Sequence, residues 1–500
     1  MVRHRFGSFR QFIMSHEGCH DSWQMAQAIL VKGTALVYFM AFLSLLFQVQ
    51  GLYGSEGILP VNSFMSQIEQ LDFSLWQLPT IFWLSQENWF LDIICVIALV
   101  SATAAIIGFQ PLLALAICWF CYLSFCLVGQ DFIPFQWDTL LCEIGFLVIF
   151  LCPSPRLGVG FSQEKASFII IWLLRILLFK LMFSSGVVKL ASDDPAWSAF
   201  TALEFHYESQ PLPNPGAWLL HQLPSWFHFL SVSFTFMVEL VLPFAIFLGR
   251  RPRYFAFAWF FLLQVFILVS GNYGFFNLLT IVLLFCLVDD GVFQKFFPKI
   301  TNRAMVISRL GSLGLLWIRR LLLVIVPLLY GTHFIIIPLF KPAQDSILGR
   351  LHSIPKKMMI FNNYGLFAVM TTGRPEMIIE GSADGKIWKP YNFRYKIQNI
   401  DSLPPVILGH MPRLDWQMWF LQFRPCKNNR WIKALSYRLL LGSQPVIDLL
   451  KENPFIEKPP VYIRVNQYDY RFRNISYLLS EGQFWTKRLV KPYCPVMVLK

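Results

Sequence analysis

Charged residues are scarce in this chain. Only 14% of its 500 residues are Asp, Glu, Lys or Arg, whereas 56% are hydrophobic and the mean hydropathy is +0.52. Because soluble domains carry about 25% charged residues, the composition excludes an ordinary soluble globular fold. It predicts a polytopic membrane protein, in which each spanning helix needs about 20 largely apolar residues.

The signature motifs of several enzyme classes are missing as well. The sequence contains no G-x-G-x-x-G, no phosphate-binding Walker loop, no H-E-x-x-H and no G-x-S-x-G. These absences remove the usual signatures of dinucleotide, nucleotide, zinc-protease and serine-hydrolase chemistry. We therefore expect no cofactor and no metal ion, and a non-enzymatic protein is favoured over an enzyme.

Nine apolar stretches have the length of a spanning helix or nearly so. They cover roughly 26–48, 89–108, 111–128, 138–153, 167–190, 227–248, 254–270, 275–288 and 315–340, and the fourth and eighth are short. No small-residue cleavage site follows the first stretch. We predict a retained first helix rather than a signal peptide.

Lys and Arg are absent from four of the connecting loops, 49–88, 129–137, 191–226 and 271–274, and are present in the alternate connections. The positive-inside rule then predicts a cytoplasmic N-terminus and a C-terminal region on the far side, in a lumen or periplasm. One missed or additional helix would reverse the side of the C-terminal region. In a eukaryotic lumen, the N-I-S sequence at Asn474 would be a glycosylation acceptor.

The chain divides into a helical membrane domain, 1–340, and an extramembrane domain, 341–500. Basic and acidic residues balance at 18 each through residue 340, so the whole formal net charge of +13 belongs to the C-terminal domain. Such a charge can indicate nucleic-acid binding, but the predicted orientation separates this domain from nucleic acid. We expect a protein partner or anionic lipid headgroups instead.

The C-terminal domain has the pattern of a β-rich fold. Segment 376–397 is rich in strand-forming residues around a Ser-Ala-Asp-Gly turn, and segment 459–474 alternates apolar and polar residues. Between them, Trp431, Leu435 and Leu439 recur at helical spacing, and Gly442 suits the end of that helix. The pattern predicts a β-sandwich-like domain with a helical insertion.

Loop 191–226 and the helix before it carry the densest polar content outside the C-terminal domain. Lys189 ends a predicted span, and Glu204 and His206 follow in a Glu-x-His-x-Glu pattern. As candidate catalytic residues, they would use a buried lysine as a base. Alternatively, Lys189 extends to the membrane surface, and the acidic residues of the loop cap a re-entrant or interfacial helix. No third ligand at metal-binding spacing follows, which argues against zinc.

Three ionisable residues, Glu143, Lys180 and Glu239, lie deep within predicted spans. Charges are costly in lipid, so these side chains should face the interior of the bundle or pair with one another. A Lys180–Glu ion pair that stabilises the bundle is the favoured interpretation. A path for protons or a transported substrate is the alternative.

Most of the ten cysteines lie in apolar runs and are typical of small buried residues. Cys118 and Cys121 form a C-x-x-C sequence, which would be redox-active in a thioredoxin-like setting. No such setting surrounds them here. Cys19, Cys426 and Cys494 lie outside the apolar runs, and their spacing does not say which of them pair.

Long stretches of the sequence resemble the lipase maturation factor family. They are "LMFSSGVVKLASDDPAWSAFTALEFHYESQPLPNP", "GLFAVMTTGRPEMIIEGSADGKIWKPYNFRYK", "MPRLDWQMWF" and "LLLGSQPVIDLLKENPFIEKPPVYIRVNQYDYRF". The resemblance extends over nearly all of the chain. The membrane half is also remotely similar to the vitamin K-dependent carboxylase group.

The resemblance implies a membrane-resident, chaperone-like maturation factor. In eukaryotes the family lies in the endoplasmic reticulum membrane and assists secreted lipases in folding and assembly. A bacterial relative would lie in the cytoplasmic membrane, and its client need not be a lipase. The alternative is a membrane enzyme of carboxylase-like or thiol redox type that acts from the far-side loop. The resemblance also implies client-binding positions at Asn363, Tyr364, Gly365, Arg413, Asp415, Trp416 and Trp419.

The stretch "PRLDWQMWF", 412–420, is interpreted under the hypothesis that it forms a strand. Alternation would then place Leu414, Trp416, Met418 and Phe420 on a buried face. The other face would present an Arg413–Asp415 pair beside Trp419. Such an amphipathic surface suits a protein-binding hot spot. Alternatively, Trp419 packs beneath the helical insertion and the Arg–Asp pair only fixes the loop.

Overall fold

The computed structural model describes residues 22–152, 166–296 and 355–499. Its membrane domain contains eight principal helices. They are α1 (Gln24–Leu46), α2 (Asn88–Ile107), α3 (Pro111–Val128), α4 (Gln136–Leu151), α5 (Phe168–Leu190), α6 (Ser225–Phe236), α7 (Arg250–Ser270) and α8 (Phe276–Leu284). Shorter helices occupy the connections: Val49–Tyr53, Val61–Gln70, Ile81–Trp83, Pro195–Ser198, Ala202–Ser209, Pro215–His221, Phe285–Leu287 and Asp290–Phe296.

Within the described residues, six helical segments are long and apolar enough to cross a membrane, and the chain is an integral membrane protein. They comprise α1, α2, α3, α5, α7 and the continuous segment Ser225–Phe247. The two predicted spans that were short in sequence correspond to α4 and to the apolar helix Phe276–Leu287. The predicted span 315–340 and the boundary between the domains lie outside the described residues.

Segment Ser225–Phe247 changes its helical geometry along its length. After α6 it continues as a π-helical turn, Met237–Val241, and then as a 3-10 helix, Leu242–Phe247. Pro243 explains the change, because proline lacks an N–H and its ring clashes with the carbonyl four residues earlier in a regular α-helix. That earlier residue is Glu239. A wide turn therefore occurs where the segment carries its one carboxylate.

The C-terminal domain contains six strands: β1 (Arg374–Ser382), β2 (Lys389–Pro390), β3 (Asn392–Phe393), β4 (Leu450–Glu452), β5 (Tyr462–Phe472) and β6 (Trp485–Val498). They form a four-stranded antiparallel sheet in the order β2-β1-β5-β6 and a two-stranded sheet of β3 and β4. The longest uninterrupted register joins β1 to β5 and runs from Arg374 opposite Tyr470 to Ser382 opposite Tyr462, whereas the pairing of β5 with β6 contains register shifts. The prediction of a helical bundle followed by a β-rich domain is confirmed.

Helices between β3 and β4 form the predicted insertion. They are α9 (Arg413–Met418), the 3-10 helices Trp419–Phe423 and Cys426–Asn428, α10 (Arg430–Leu440) and Gln444–Ile447, and α11 (Ile475–Glu481) joins β5 to β6. Trp431, Leu435 and Leu439 of α10 are buried as their spacing predicted. Gly442 follows with a φ of +69°, and its N–H donates to the Leu439 carbonyl, which ends the helix.

The C-terminal domain covers one end of the helical bundle and contacts all four loops that lack Lys and Arg. Arg438 donates to the carbonyls of Gly57 (2.9 Å) and Ser55 (2.8 Å) in the first of these loops. Arg430 donates to the Gln130 side chain at 2.7 Å, and the Asn272 amide donates to the Pro405 carbonyl at 2.8 Å. The contacts to loop 191–226 are described below. A contiguous hydrophobic core extends from the bundle into this domain.

Candidate functional site

Segment 412–420 is helical, and the predicted strand is wrong. Residues Arg413–Met418 form α9, and Trp419–Phe423 continue as a 3-10 helix. Successive residues of an α-helix are rotated by about 100°, so alternate residues do not share one face. The alternating pattern was too short to distinguish a strand from a helix whose sides are nearly all buried.

The partner of Arg413 is a residue of the membrane domain and not Asp415. Its guanidinium makes two 2.7 Å hydrogen bonds to the Asp138 carboxylate, at the start of α4, and a third of 3.2 Å to the Tyr122 hydroxyl. Arg413 and Asp138 are both buried. Two parallel N–H···O bonds give the pair both strength and a fixed orientation. The expectation of an exposed Arg413–Asp415 pair is wrong.

Asp415 instead stabilises the backbone of its own domain. One of its carboxylate oxygens accepts hydrogen bonds from the N–H groups of Tyr395 (2.7 Å) and Lys396 (2.9 Å). Burial raises the pKa of Asp415 to about 6, even though these N–H groups favour the ionised form. The side chain is inside the domain, where a client protein cannot reach it.

An open cavity of about 640 Å³ lies between α4, segment 362–369 and the insertion, and we call it the aromatic groove. Its walls include Trp137, Trp416, Trp419, Phe420 and Phe423. The Trp137 and Trp416 rings are 4.9 Å apart and perpendicular, and the Trp419 and Phe423 rings are also 4.9 Å apart. The groove therefore joins residues from both domains.

The exposed surface of the groove is apolar. Val369 and Phe423 are 66% and 53% exposed, and Asn363 is exposed at the same cavity. Trp419 is half-buried, and its indole N–H donates to the Ser209 carbonyl in loop 191–226 at 2.7 Å. Of the residues predicted to bind a client, Asn363 and Trp419 therefore lie at the accessible part of the groove. Val369 and Phe423 were not predicted, and no motif singles them out.

Two buried donors line the groove. The indole nitrogens of Trp137 and Trp416 have no hydrogen-bond partner among the described residues. Buried N–H groups are nearly always paired in folded proteins, so two unpaired indoles in one wall are unusual. The wall therefore combines large apolar rings with unused hydrogen-bond donors.

Tyr364 does not belong to this surface. It is buried, and its hydroxyl donates to Glu143 Oε2 at 2.6 Å. Lys180 contacts the other oxygen, Oε1, at 2.5 Å, so the structure contains the predicted ion pair between Lys180 and a glutamate. Asn362 also donates to this carboxylate. Tyr364 thus attaches the C-terminal domain to an ion pair within the membrane domain.

Lys189 and His206 line a second cavity, which lies among α5, α6, α7 and α8. The Lys189 ammonium contacts both oxygens of Glu239, at 2.7 and 3.0 Å. His206 Nε2 lies 3.0 Å from the Tyr273 hydroxyl. Glu204 is half-buried and is not part of this cavity wall. Residues two positions apart on a helix point in different directions, so the helix Ala202–Ser209 does not place Glu204 and His206 on one face.

Loop 191–226 also receives two arginines of the C-terminal domain. Arg374 is fully buried and donates to the carbonyls of Glu208 (2.8 Å), Gln210 (2.5 Å) and Pro211 (3.1 Å). The Glu208 carboxylate accepts from the Phe472 N–H at 2.6 Å and from Arg471 at 3.1 Å. Burial raises the pKa of Glu208, and its hydrogen bonds oppose this shift. Glu208 therefore serves the interface between the domains.

The cysteines differ between the two domains. Cys118 and Cys121 are buried inside α3, where the Cys118 thiol donates to the Ala98 carbonyl. Both are free thiols. Cys426 and Cys494 form a disulfide with a Cα–Cα distance of 5.4 Å. Within the described residues, no group of three His, Cys, Asp or Glu side chains could bind a metal ion.

The fold and the site define a class: a polytopic membrane protein whose β-rich domain is fixed to one end of its helices by the buried Arg413–Asp138 ion pair and by hydrogen bonds to the connecting loops. Family models match twice, one described as the lipase maturation factor transmembrane domain over residues 25–295 and one as its C-terminal domain over 360–495. The chain belongs to the lipase maturation factor family.

Individual relatives match over nearly the whole chain. Lipase maturation factor 2 of Rattus norvegicus is 34% identical, and the alignment covers 96% of this chain and 84% of the relative. Lipase maturation factor 1 of Homo sapiens is 32% identical, with coverage of 95% and 88%. No solved structure matches the chain.

Proposed function

We propose that this protein is a membrane-resident maturation factor that binds secreted client proteins in the aromatic groove and assists their folding. The observation that carries the proposal is the exposed apolar surface of the groove, where Val369 and Phe423 stand beside Trp419. Exposed apolar surface at a concave site is typical of protein-binding sites. The names of the relatives favour lipases as clients.

The groove suits an incompletely folded segment. Aromatic rings provide apolar contact that does not depend on a particular client sequence, and aromatic residues are enriched among binding hot spots. The proposed ligand is an extended stretch with apolar side chains, released when the client buries that stretch in its own core.

The proposed location is a membrane whose far side is oxidising. The Cys426–Cys494 disulfide favours a lumen or periplasm, since disulfides are rare in reducing compartments. In a eukaryotic cell this is the endoplasmic reticulum, where secreted lipases begin to fold. The N-terminus would be cytoplasmic, as the distribution of Lys and Arg predicts.

The test compares two groups of single substitutions. Phe423→Asp and Val369→Asp introduce charge into the groove, whereas Ile456→Asp introduces it at an 89% exposed position of the same domain outside the groove. Each variant is expressed with a secreted lipase in cells that lack their own maturation factor. Because hot-spot residues contribute about 2 kcal/mol or more, we expect client binding to fall by about tenfold or more in the groove variants only.

Two readouts separate binding from general damage. The specific activity of the secreted lipase reports maturation, and a photoreactive residue at position 423 reports direct contact, with one at 456 as its control. Full lipase activity with a normally abundant Phe423→Asp variant would reject the groove as the client site. Equal loss with Ile456→Asp would show that charge anywhere on the domain has the same effect.

A further inference from the structure

The second cavity, of about 610 Å³, has a mainly hydrocarbon and aromatic wall within the membrane domain. Leu181 of α5, Phe234 of α6, Trp259 and Leu263 of α7 and Phe276 of α8 contribute to it. Cavities of 300 to 1,000 Å³ with apolar walls and a few polar groups are typical of small-molecule sites. The proposed maturation function does not use this cavity.

Exposed residues of the cavity wall lie on α6 and α7, which belong to segments that could span a membrane. The exposed lining residues include Trp226 (64%) and Leu230 (56%) of α6, with Phe266 of α7 beside them. Both helices belong to segments that are long and apolar enough to span the membrane. A ligand that enters between them would come from the hydrocarbon region of the bilayer.

Among the described residues that line the cavity, the cation at its polar end is Lys189, and Glu239 already pairs with it. The Lys189 ammonium contacts both oxygens of Glu239 and donates to the Ser185 carbonyl at 3.0 Å. An ammonium has three N–H donors, so these three acceptors satisfy it. The charge of Lys189 is also balanced by Glu239. A carboxylate or phosphate headgroup would therefore find no complementary charge here.

The hydrogen bonds around His206 fix which of its nitrogens carries the proton. The Gln210 amide donates to the carbonyls of Ser270 (2.7 Å) and Tyr207 (3.2 Å), so its oxygen faces Tyr273. The Tyr273 hydroxyl donates to that oxygen at 2.8 Å and can only accept from His206 Nε2. His206 therefore carries its proton on Nε2.

This arrangement makes Nδ1 of His206 a bare acceptor. It is buried and has no hydrogen-bond partner among the described residues. Burial, together with the nearby Lys189, lowers the pKa of His206 to about 4, so the ring is neutral at neutral pH. A neutral imidazole with its proton on Nε2 binds a donor at Nδ1 and repels another acceptor.

We infer that this cavity binds a neutral membrane lipid that carries a hydroxyl group, with the hydroxyl donating to His206 Nδ1 and the hydrocarbon chain lying between α6 and α7. Long-chain alcohols, acylglycerols and sterols share this chemistry. Fatty acids, phospholipids and esters without a hydroxyl do not. The lipid would occupy the bundle beside the groove, since Leu366 and Phe367 line both cavities.

The test uses a photoreactive long-chain alcohol as the probe on the purified full-length protein. Unlabelled oleyl alcohol, methyl oleate and oleate then compete with it, because they share a chain and differ only in the headgroup. We expect oleyl alcohol to protect at a concentration roughly fivefold below that of methyl oleate, the difference that one hydrogen bond makes. Equal protection by methyl oleate would overturn the hydroxyl assignment, and stronger protection by oleate would overturn the exclusion of anions.

A matched pair of substitutions locates the site. Ser231 and Ser233 both lie on α6 and both donate to the carbonyl four residues earlier, but only Ser231 lines the cavity. We expect Ser231→Phe to abolish labelling and Ser233→Phe to leave it unchanged. His206→Phe, which keeps a ring of similar size, should abolish the preference for oleyl alcohol over methyl oleate. Labelling that survives Ser231→Phe, or a preference that survives His206→Phe, would contradict the proposal.

Discussion

Buried arginines join the two domains at the level of single residues. Arg374 contacts three backbone carbonyls of loop 191–226, and Arg413 contacts Asp138 and Tyr122. The guanidinium presents five N–H donors in a planar arrangement, so a single side chain can satisfy several buried acceptors. Lysine could not replace either residue, because its three donors radiate from one atom.

Replacement of Arg413 should be strongly destabilising. Arg413→Met leaves the Asp138 carboxylate buried without its counter-charge, which costs about 3 to 5 kcal/mol. We expect a clearly lower melting temperature in detergent. The matched control is Arg430→Met, which removes an exposed arginine that also crosses the interface, to Gln130. Exposed polar contacts contribute little to stability. The free energy of unfolding of the control should therefore lie within about 1 kcal/mol of the parent's, with a nearly unchanged melting temperature.

A double substitution tests the cause of that loss. Combining Arg413→Met with Asp138→Leu removes both charges, and buried ion pairs can often be replaced by apolar residues without loss. We expect the double variant to regain most of the stability. If it melts as low as Arg413→Met alone, the lost hydrogen bonds outweigh the unpaired carboxylate. These are the bonds of Arg413 to Tyr122 and Phe132 and those that Asp138 accepts from the Tyr122 hydroxyl and the Phe135 N–H.

At the level of elements, sequence patterns predicted helices and strands correctly where the amphipathic segment was long enough to show whether its period was that of a helix or of a strand. The eleven residues of β5 and of α10 each show one period clearly and have the predicted structure. The strand interpretation of segment 412–420 was wrong because a helix and a strand would both bury its apolar residues. The π-helical turn before Pro243 was also missed, since proline indicates a break but not its geometry.

The candidate site was less predictable than the fold. Sequence identified Glu143, Lys180 and Glu239 as costly charges that need partners, but not which would pair, and it treated Lys189 separately as a candidate base or a side chain that extends to the membrane surface. Lys180 contacts Glu143, 37 residues away, and Lys189 contacts Glu239, 50 residues away. Such pairs depend on how the helices pack. The aromatic groove could not be predicted from the sequence for the same reason, because its walls come from both domains.

The disulfide should stabilise the edge strand β6. Most of β6 is exposed, and Cys494 attaches it to Cys426 in the 3-10 helix Cys426–Asn428 of the helical insertion. A disulfide that closes a loop of this length typically contributes about 2 to 4 kcal/mol. We expect the Cys426→Ser, Cys494→Ser double variant to melt lower and to exchange amide hydrogens faster across β6.

Reductant provides the control for this prediction. Dithiothreitol should lower the melting temperature of the parent to that of the double variant, without further effect on the variant. Cys95→Ser, which changes a buried free thiol of α2, should keep the full response to reductant. A parent that melts identically with and without reductant would contradict the assigned role of the disulfide.

For the whole molecule, the charge of the C-terminal domain matches the surface that it covers. The four loops that lack Lys and Arg carry nine Asp and Glu residues, whereas residues after 340 supply the entire net charge of +13. Arginines from the C-terminal domain contact three of these loops. Part of the positive charge therefore lies at the interface between the domains, where Arg471 also pairs with Glu208.

This arrangement leads to a prediction about orientation. The C-terminal domain and the four loops must lie on the same side of the membrane, and the positive-inside rule predicts the far side. Asn474 supplies the reporter, because it is exposed at the start of α11 in the chain's one N-x-Ser/Thr sequence. Expressed in a eukaryotic secretory pathway, the protein should carry a glycan at Asn474 that endoglycosidase removes. Asn474→Gln should lose the glycan, and an acceptor sequence added ahead of Met1 should stay unmodified. Glycosylation only at the added N-terminal acceptor would reverse the orientation, place the aromatic groove in the cytoplasm and exclude secreted proteins as its clients.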